Sequence, residues 1–192
     1  MLFVSLACQR ERDASPQAAS STHRGLAASS TSARIDSTER HIARVPTPDT
    51  LRGLYVNRWA ALGRKLNDLI GVAKRTEVNA LVIDVKDDRG FVLYPSRVPL
   101  AREIGADTAD GHALSRSRIR AILDSMVAHG IYPIARIVVA KDPLLAQKKL
   151  DLAIKRKSDL KPWLDKNGNP WLDPHQRAVW QYAADLALEA YD

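Results

Sequence analysis

The chain has one cysteine, Cys8, among its 192 residues, which excludes an internal disulfide framework and a cysteine-rich metal site. Its five histidines do not make up the shortfall. His23 and His41 fall in a polar N-terminal stretch, His112 in a loop, His129 at a helix end and His175 at a helix start, with no ligand spacing among them. There is no GxSxG, no P-loop and no GxGxxG after a first strand, which argues against the common serine-hydrolase, nucleotide and dinucleotide chemistries, and no cofactor is expected. No segment reaches the roughly 18 or more consecutive apolar residues of a membrane-spanning helix. Basic residues outnumber acidic ones, 29 to 22, for a formal net charge of +7, but they are scattered among acids. The densest basic run, Lys155-Arg156-Lys157, ends a predicted helix where cations suit the dipole. With no helix-turn-helix, RNA-binding or zinc-knuckle pattern beside it, the charge does not point to nucleic acid.

What is present begins with MLFVSLAC, a short apolar run closing in Leu6-Ala7-Cys8. Residues 1–8 look like the remnant of a lipoprotein signal, with Cys8 as the lipidated residue and membrane attachment through it. Ser5 where such signals favour leucine, and the missing basic flank, leave a chance apolar N-terminus as the other reading. Residues 9–50 are rich in Ser, Ala, Thr and Arg and poor in large apolar side chains, a composition that cannot offset its own ordering entropy. They are expected to be a tether, and a tether behind such a cysteine suits an exported protein of the periplasm or cell envelope. Without the signal, the expectation is a cytoplasmic protein.

From residue 51 to 192 strands and helices alternate. LYVNRW reads as a strand, LGRKLNDLIGVAKRT as a helix with an apolar stripe, and ALVIDV as a second strand. Ser115 can cap a helix that Gly130 ends, IYPIARIVVA is a third strand, and Pro143 can open a helix running through LLAQKKLDLAIKRK. WLDKNGNPWLD carries the Asn167-Gly168 signal of a hairpin, and HQRAVWQYAADLALEAYD a last amphipathic helix. This alternation implies right-handed βαβ units and a parallel sheet, hence an α/β fold. The expected architecture is the N-terminal portion of a (β/α)8 TIM barrel, with parallel strands inside, helices outside, and the chain ending after about three βα units. A closed barrel takes roughly 200–250 residues or more.

The blocks RGLYVNRWA, TEVNALVIDVKDDRGFVLYPSRVPLAREIGA, AHGIYPIARIVVAKDPLLA and WLDP followed by AVWQYAADLA are similar to those of the putative glycoside hydrolase domain family. That family comprises bacterial TIM-barrel proteins long treated as a domain of unknown function. The resemblance covers residues 52–192 and implies a carbohydrate substrate. It also implies that closely spaced acids on a fourth strand, beyond Asp192, complete the site, so that this chain is an N-terminal fragment lacking part of it.

Among the residues present, barrel geometry puts chemistry at the C-terminal ends of the strands. Asn57, Asp84 and Arg136 fall at similar depth on three consecutive strands. Asp84 and Arg136 can pair across neighbouring strands inside the lumen, either as an internal salt bridge or as the floor of a sugar site with Asp84 as the catalytic candidate. Lys86 shares the parity of Asp84 two residues nearer the mouth, where it can meet a sugar hydroxyl. Asp87 has the opposite parity, and with Asp88, Arg89 and Gly90 it reads as a loop; Asp88 stays on the list of substrate-binding candidates. Lys141 and Asp142 end the third strand in the same way. Trp171 and Asp173 form a site edge or pack the hairpin base with Trp163. Three functions remain open: a glycoside hydrolase of an envelope or extracellular glycan, a non-catalytic glycan-binding or scaffold barrel, and a split-gene product without function.

Overall fold

The computed structural model describes residues 45–192. Cys8 and residues 9–44 of the tether expected over 9–50 lie outside the described residues.

The order of elements is β1 (Gly53–Val56), α1 (Arg58–Leu62), α2 (Lys65–Ala73), β2 (Ala80–Lys86), α3 (Pro99–Ile104), α4 (Arg116–Ala128), β3 (Tyr132–Ile137), α5 (Pro143–Lys148), a 3-10 turn (Leu150–Leu152) and α6 (Arg177–Tyr191). The strands form one sheet in the order β1-β2-β3. Both pairings are parallel: Val56 lies opposite Ile83, and Ile83 opposite Ala135. The expected α/β fold with a parallel sheet is what the chain adopts.

β2 is central and apolar because both its faces are covered. Leu81, Ile83 and Val85 pack into a core with Leu66 and Ile70 of α2 and Met126 of α4. Leu145 of α5 and Leu186 of α6 extend that core. Local chemistry sets the helix starts. Asn57 caps α1 by accepting from the Ala60 N–H at 2.8 Å, Ser115 caps α4 by accepting from Arg118 N, and Asp142 caps α5 by accepting from Leu145 N at 2.8 Å. α3 opens on Pro99 and closes on Gly105, whose φ of 69° is left-handed.

Three expectations need correction. The first strand stops at Val56 and gives way to α1, because the Asn57 side chain starts a helix where the strand pattern continues through Trp59, and the helix expected over residues 62–76 is confined to α2. The helix expected from Pro143 through Lys157 stops at Lys148. Beyond Ala153 the backbone pairs instead with the hairpin arm: Ile154 N donates to Trp171 O at 2.9 Å, and Trp163 N donates to Ile154 O at 2.7 Å. Burial of Ala153 and Leu172 in the core outweighs the helical propensity of this segment. Lys155-Arg156-Lys157 therefore lies on an arm, where Arg156 pairs with Asp159, and not at a helix end. The arm turns at Asn167-Gly168, as its dipeptide indicates, with Gly168 at φ 78°.

A carboxylate on α6 ties that helix to the far side of the chain. Glu189, with its side chain only 5% exposed, accepts from Ser96 Oγ and from Arg97 N at 2.5 Å each, and from Arg116 Nη2 at 3.0 Å. Burial alone would raise its pKa, but the hydrogen bonds from Ser96, Arg97 and Arg116 outweigh that and hold it below 4.5. A depressed carboxylate contributes stability that is complete above its unfolded pKa and is lost as pH falls through the folded one. The Glu189→Gln variant is expected to be less stable than the parent at about pH 7 and to converge on it as pH falls below the usual glutamate range, in urea midpoints measured across an acid series. A gap independent of pH would remove the carboxylate from the account.

Candidate functional site

The sheet register brings Asp84 opposite Arg136. Arg136 Nη1 donates to Asp84 Oδ1 at 2.5 Å, so the pair anticipated from strand parity forms. The third member is Tyr55, on the same face of β1. Its hydroxyl donates to Asp84 Oδ2 at 2.5 Å and accepts from Arg136 Nη1 at 3.1 Å, and the guanidinium lies 5.2 Å from the centre of the Tyr55 ring. Asp84 thus has both oxygens engaged, and its side chain is 3% exposed. Burial of the Tyr55 hydroxyl and its hydrogen bond to Asp84 raise the phenol pKa, and the hydrogen bond to Asp84 raises that of Arg136. Both oxygens of Asp84 are thus taken up in holding a phenol and a guanidinium.

Tyr55 was legible in principle, since it alternates with Leu54 and Val56 on the face that β2 gives to Asp84. Counting depth from the strand starts favours Asn57 instead, and Asn57 is occupied with capping α1.

Lys86 does not stand beside Asp84. The register slips after Asp84, so that Lys86 lies opposite Ile137 and Val85 is the extra residue of a bulge. One added residue reverses strand parity. Lys86 is wholly buried, with Nζ 2.7 Å from Asp142 Oδ2 and 5.6 Å from the ring centre of Tyr182 on α6. Asp142, also wholly buried, holds the first turn of α5 through its other oxygen. These two residues join sheet to helices and do not face the open side.

Asp87 organises the loop that follows β2. Its Oδ1 accepts from the backbone N–H of Arg89 and of Phe91, both at 3.0 Å, and its Oδ2 from the Arg89 guanidinium at 3.2 Å. Asp88, the next residue, is half exposed and receives Lys141 Nζ at 2.6 Å. That hydrogen bond keeps the Asp88 carboxyl below the usual carboxylate range. Asp88 and Lys141 therefore join the Tyr55–Asp84–Arg136 group at the strand ends, and the charge of Asp88 is felt by both Tyr55 and Arg136. Trp171 is turned to the hairpin: it packs edge-on against Trp163 with ring centres 6.4 Å apart, and its Nε1 donates to Asp165 Oδ2 at 3.1 Å. Asp173 accepts from the N–H of His175 in a local turn.

One buried group had no signal in the sequence. Arg58, only 1% exposed, makes a two-pronged pair with Asp110 at 2.7 and 3.1 Å and donates to the carbonyls of Val92 and His112. It locks the start of α1 to the loop before α4, directly beneath the half-exposed ring of Trp59, which meets His112 edge-on at 5.4 Å. A partner 52 residues away is chosen by packing, not by local pattern.

Comparison with solved structures finds a hypothetical protein from Ruminiclostridium thermocellum, 36% identical at a TM-score of 0.62, with the match covering 72% of this chain and 70% of that one. A glycoside hydrolase family 20 β-N-acetylglucosaminidase matches at 17% identity and a TM-score of 0.53, over 74% of this chain and 34% of that one. The second likeness is one of fold alone. No curated protein matches the chain. The family model described as "putative glycosyl hydrolase domain" matches residues 53–192, the stretch that carries all three strands and every group of the strand-end cluster. By that match, the chain belongs to the putative glycosyl hydrolase domain family.

Proposed function

We propose that this chain binds and hydrolyses a glycan of the cell envelope or extracellular space, and that the face carrying Tyr55, Asp84, Arg136, Asp88 and Lys141 is where the sugar sits. The observation that carries the reading is the Tyr55–Asp84–Arg136 group, a rigid hydrogen-bonded triad at the carboxyl ends of parallel strands. Barrel enzymes place their chemistry at that end of their strands. The sheet is read here as one arc of such a barrel, with the triad on its inner wall. Asp84 serves as a positioning residue: it sets the plane of the guanidinium and the direction of the phenol.

A second reading, a glycan-binding barrel without cleavage, is favoured by one fact: both oxygens of Asp84 are already hydrogen-bonded. The two separate in one experiment. The chain is incubated with a panel of envelope and extracellular polysaccharides, and both binding and release of reducing ends are followed. Hydrolysis lost by about 100-fold in Asp84→Asn, with the fold retained by circular dichroism, supports the enzyme, since misplacing a catalytic group by about 1 Å costs that much. Binding without release selects the second reading. No binding and no release across the panel would overturn both.

A further inference from the structure

Resting on that glycan reading, we propose that the ligand of this face is an acidic glycan, and that the unbonded edge of the Arg136 guanidinium receives its carboxylates. Of the donors of Arg136, only Nη1 is engaged, by Asp84 and by the Tyr55 oxygen. Nε and Nη2 have no hydrogen-bond partner among the described residues, while the side chain is 41% exposed. The guanidinium is held on one side by a buried carboxylate and by the Tyr55 hydroxyl, with the Tyr55 ring centre 5.2 Å away, so its orientation is fixed before any ligand arrives. A planar fork with its Nε and Nη2 donors open matches the two oxygens of a carboxylate in a way that a single sugar hydroxyl does not.

The sign of the exposed charge agrees. Sites for neutral sugars offer carboxylate acceptors to hydroxyl groups, but here Asp84 is sealed behind its partners. Beside Asp88, which Lys141 engages, the charge that reaches solvent is the Arg136 cation. Lys141, one third exposed, adds a second. Asp88 is the exposed acid of the cluster, and Lys141 engages it at 2.6 Å, leaving two of the three ammonium protons for a ligand. The class of ligand is therefore a polymer bearing carboxylates, such as one containing uronic acids.

The test compares acidic polymers with their own neutral forms. Polygalacturonate, alginate and hyaluronan are each offered to the chain beside the product of carboxyl reduction, and binding is measured by calorimetry at low and high salt. The expected result is at least one acidic polymer bound about tenfold or more tighter than its reduced counterpart, the value of a charge-assisted hydrogen bond. That preference should shrink with salt and disappear in Arg136→Gln. Arg136→Lys keeps the charge but loses the fork, and is expected to retain only part of it. Equal affinity for the acidic and reduced forms overturns the acidic ligand and leaves the glycan reading standing. An absence of binding to every polymer, neutral and acidic, overturns both. Because the decisive comparison uses the unaltered chain, it does not depend on whether the Arg136 variants fold.

Discussion

Lys86→Met is expected to lower the stability of the fold by about 3–5 kcal/mol, because it leaves the Asp142 carboxylate buried with no cation. Both partners of this pair are wholly buried, and the structure offers Asp142 no second ammonium or guanidinium among its described bonds. Total stabilities of natural domains are about 5–15 kcal/mol, so the loss is a large share of the whole. Restoring neutrality should return much of it. In the double variant Lys86→Met, Asp142→Asn, the asparagine oxygen still caps α5 toward Leu145 N and no charge is left behind. Urea unfolding followed by tryptophan fluorescence reports both. A single variant within about 1 kcal/mol of the parent would mean that water reaches this pair in solution.

Gly90→Ala is expected to be comparably damaging, at about 2–5 kcal/mol, for a reason that leads back to the same pair. Gly90 has a φ of 94°, a left-handed conformation that costs any residue with a Cβ. A Cβ built there would also lie 2.1 Å from Asp142 Oδ1 and 2.9 Å from the Cβ of Leu144. The glycine lets the loop after β2 close over the buried carboxylate. Gly130 supplies the internal control, since its φ is 65° but an added Cβ meets nothing within 4 Å. Gly130→Ala should cost only the conformational part, about 1–2 kcal/mol. Equal losses at the two positions, in the same urea assay, would remove the contact with Asp142 from the explanation.

The sheet, its parallel sense and the cap of α4 could be read from the chain, because each rests on a short-range rule. Continuous apolar runs at ALVIDV and IYPIAR mark strands, of which only the first is covered on both faces, the helical stripes between them mark crossovers, and Ser115 and Asn167-Gly168 act within three residues of themselves. The Asp84–Arg136 pair followed from counting parity, which held as far as the ladder was regular. At Val85 regularity ended. The bulge turned Lys86 from a supposed sugar contact into the buried partner of Asp142, 56 residues on. The same kind of blindness hid Tyr55 as the third member of the triad, Arg58 as the lock of the first helix, and Glu189 as the clamp on a loop 93 residues before it.

What the residues fixed by themselves, then, is the α/β class, the alternation of the three strands with helical crossovers, and the presence of one acid and one arginine at matching depth on neighbouring strands. Which charges are sealed inside and which meet solvent was decided only in three dimensions. The energy of a buried charge depends on every group packed around it, and those groups come from segments far apart in the chain.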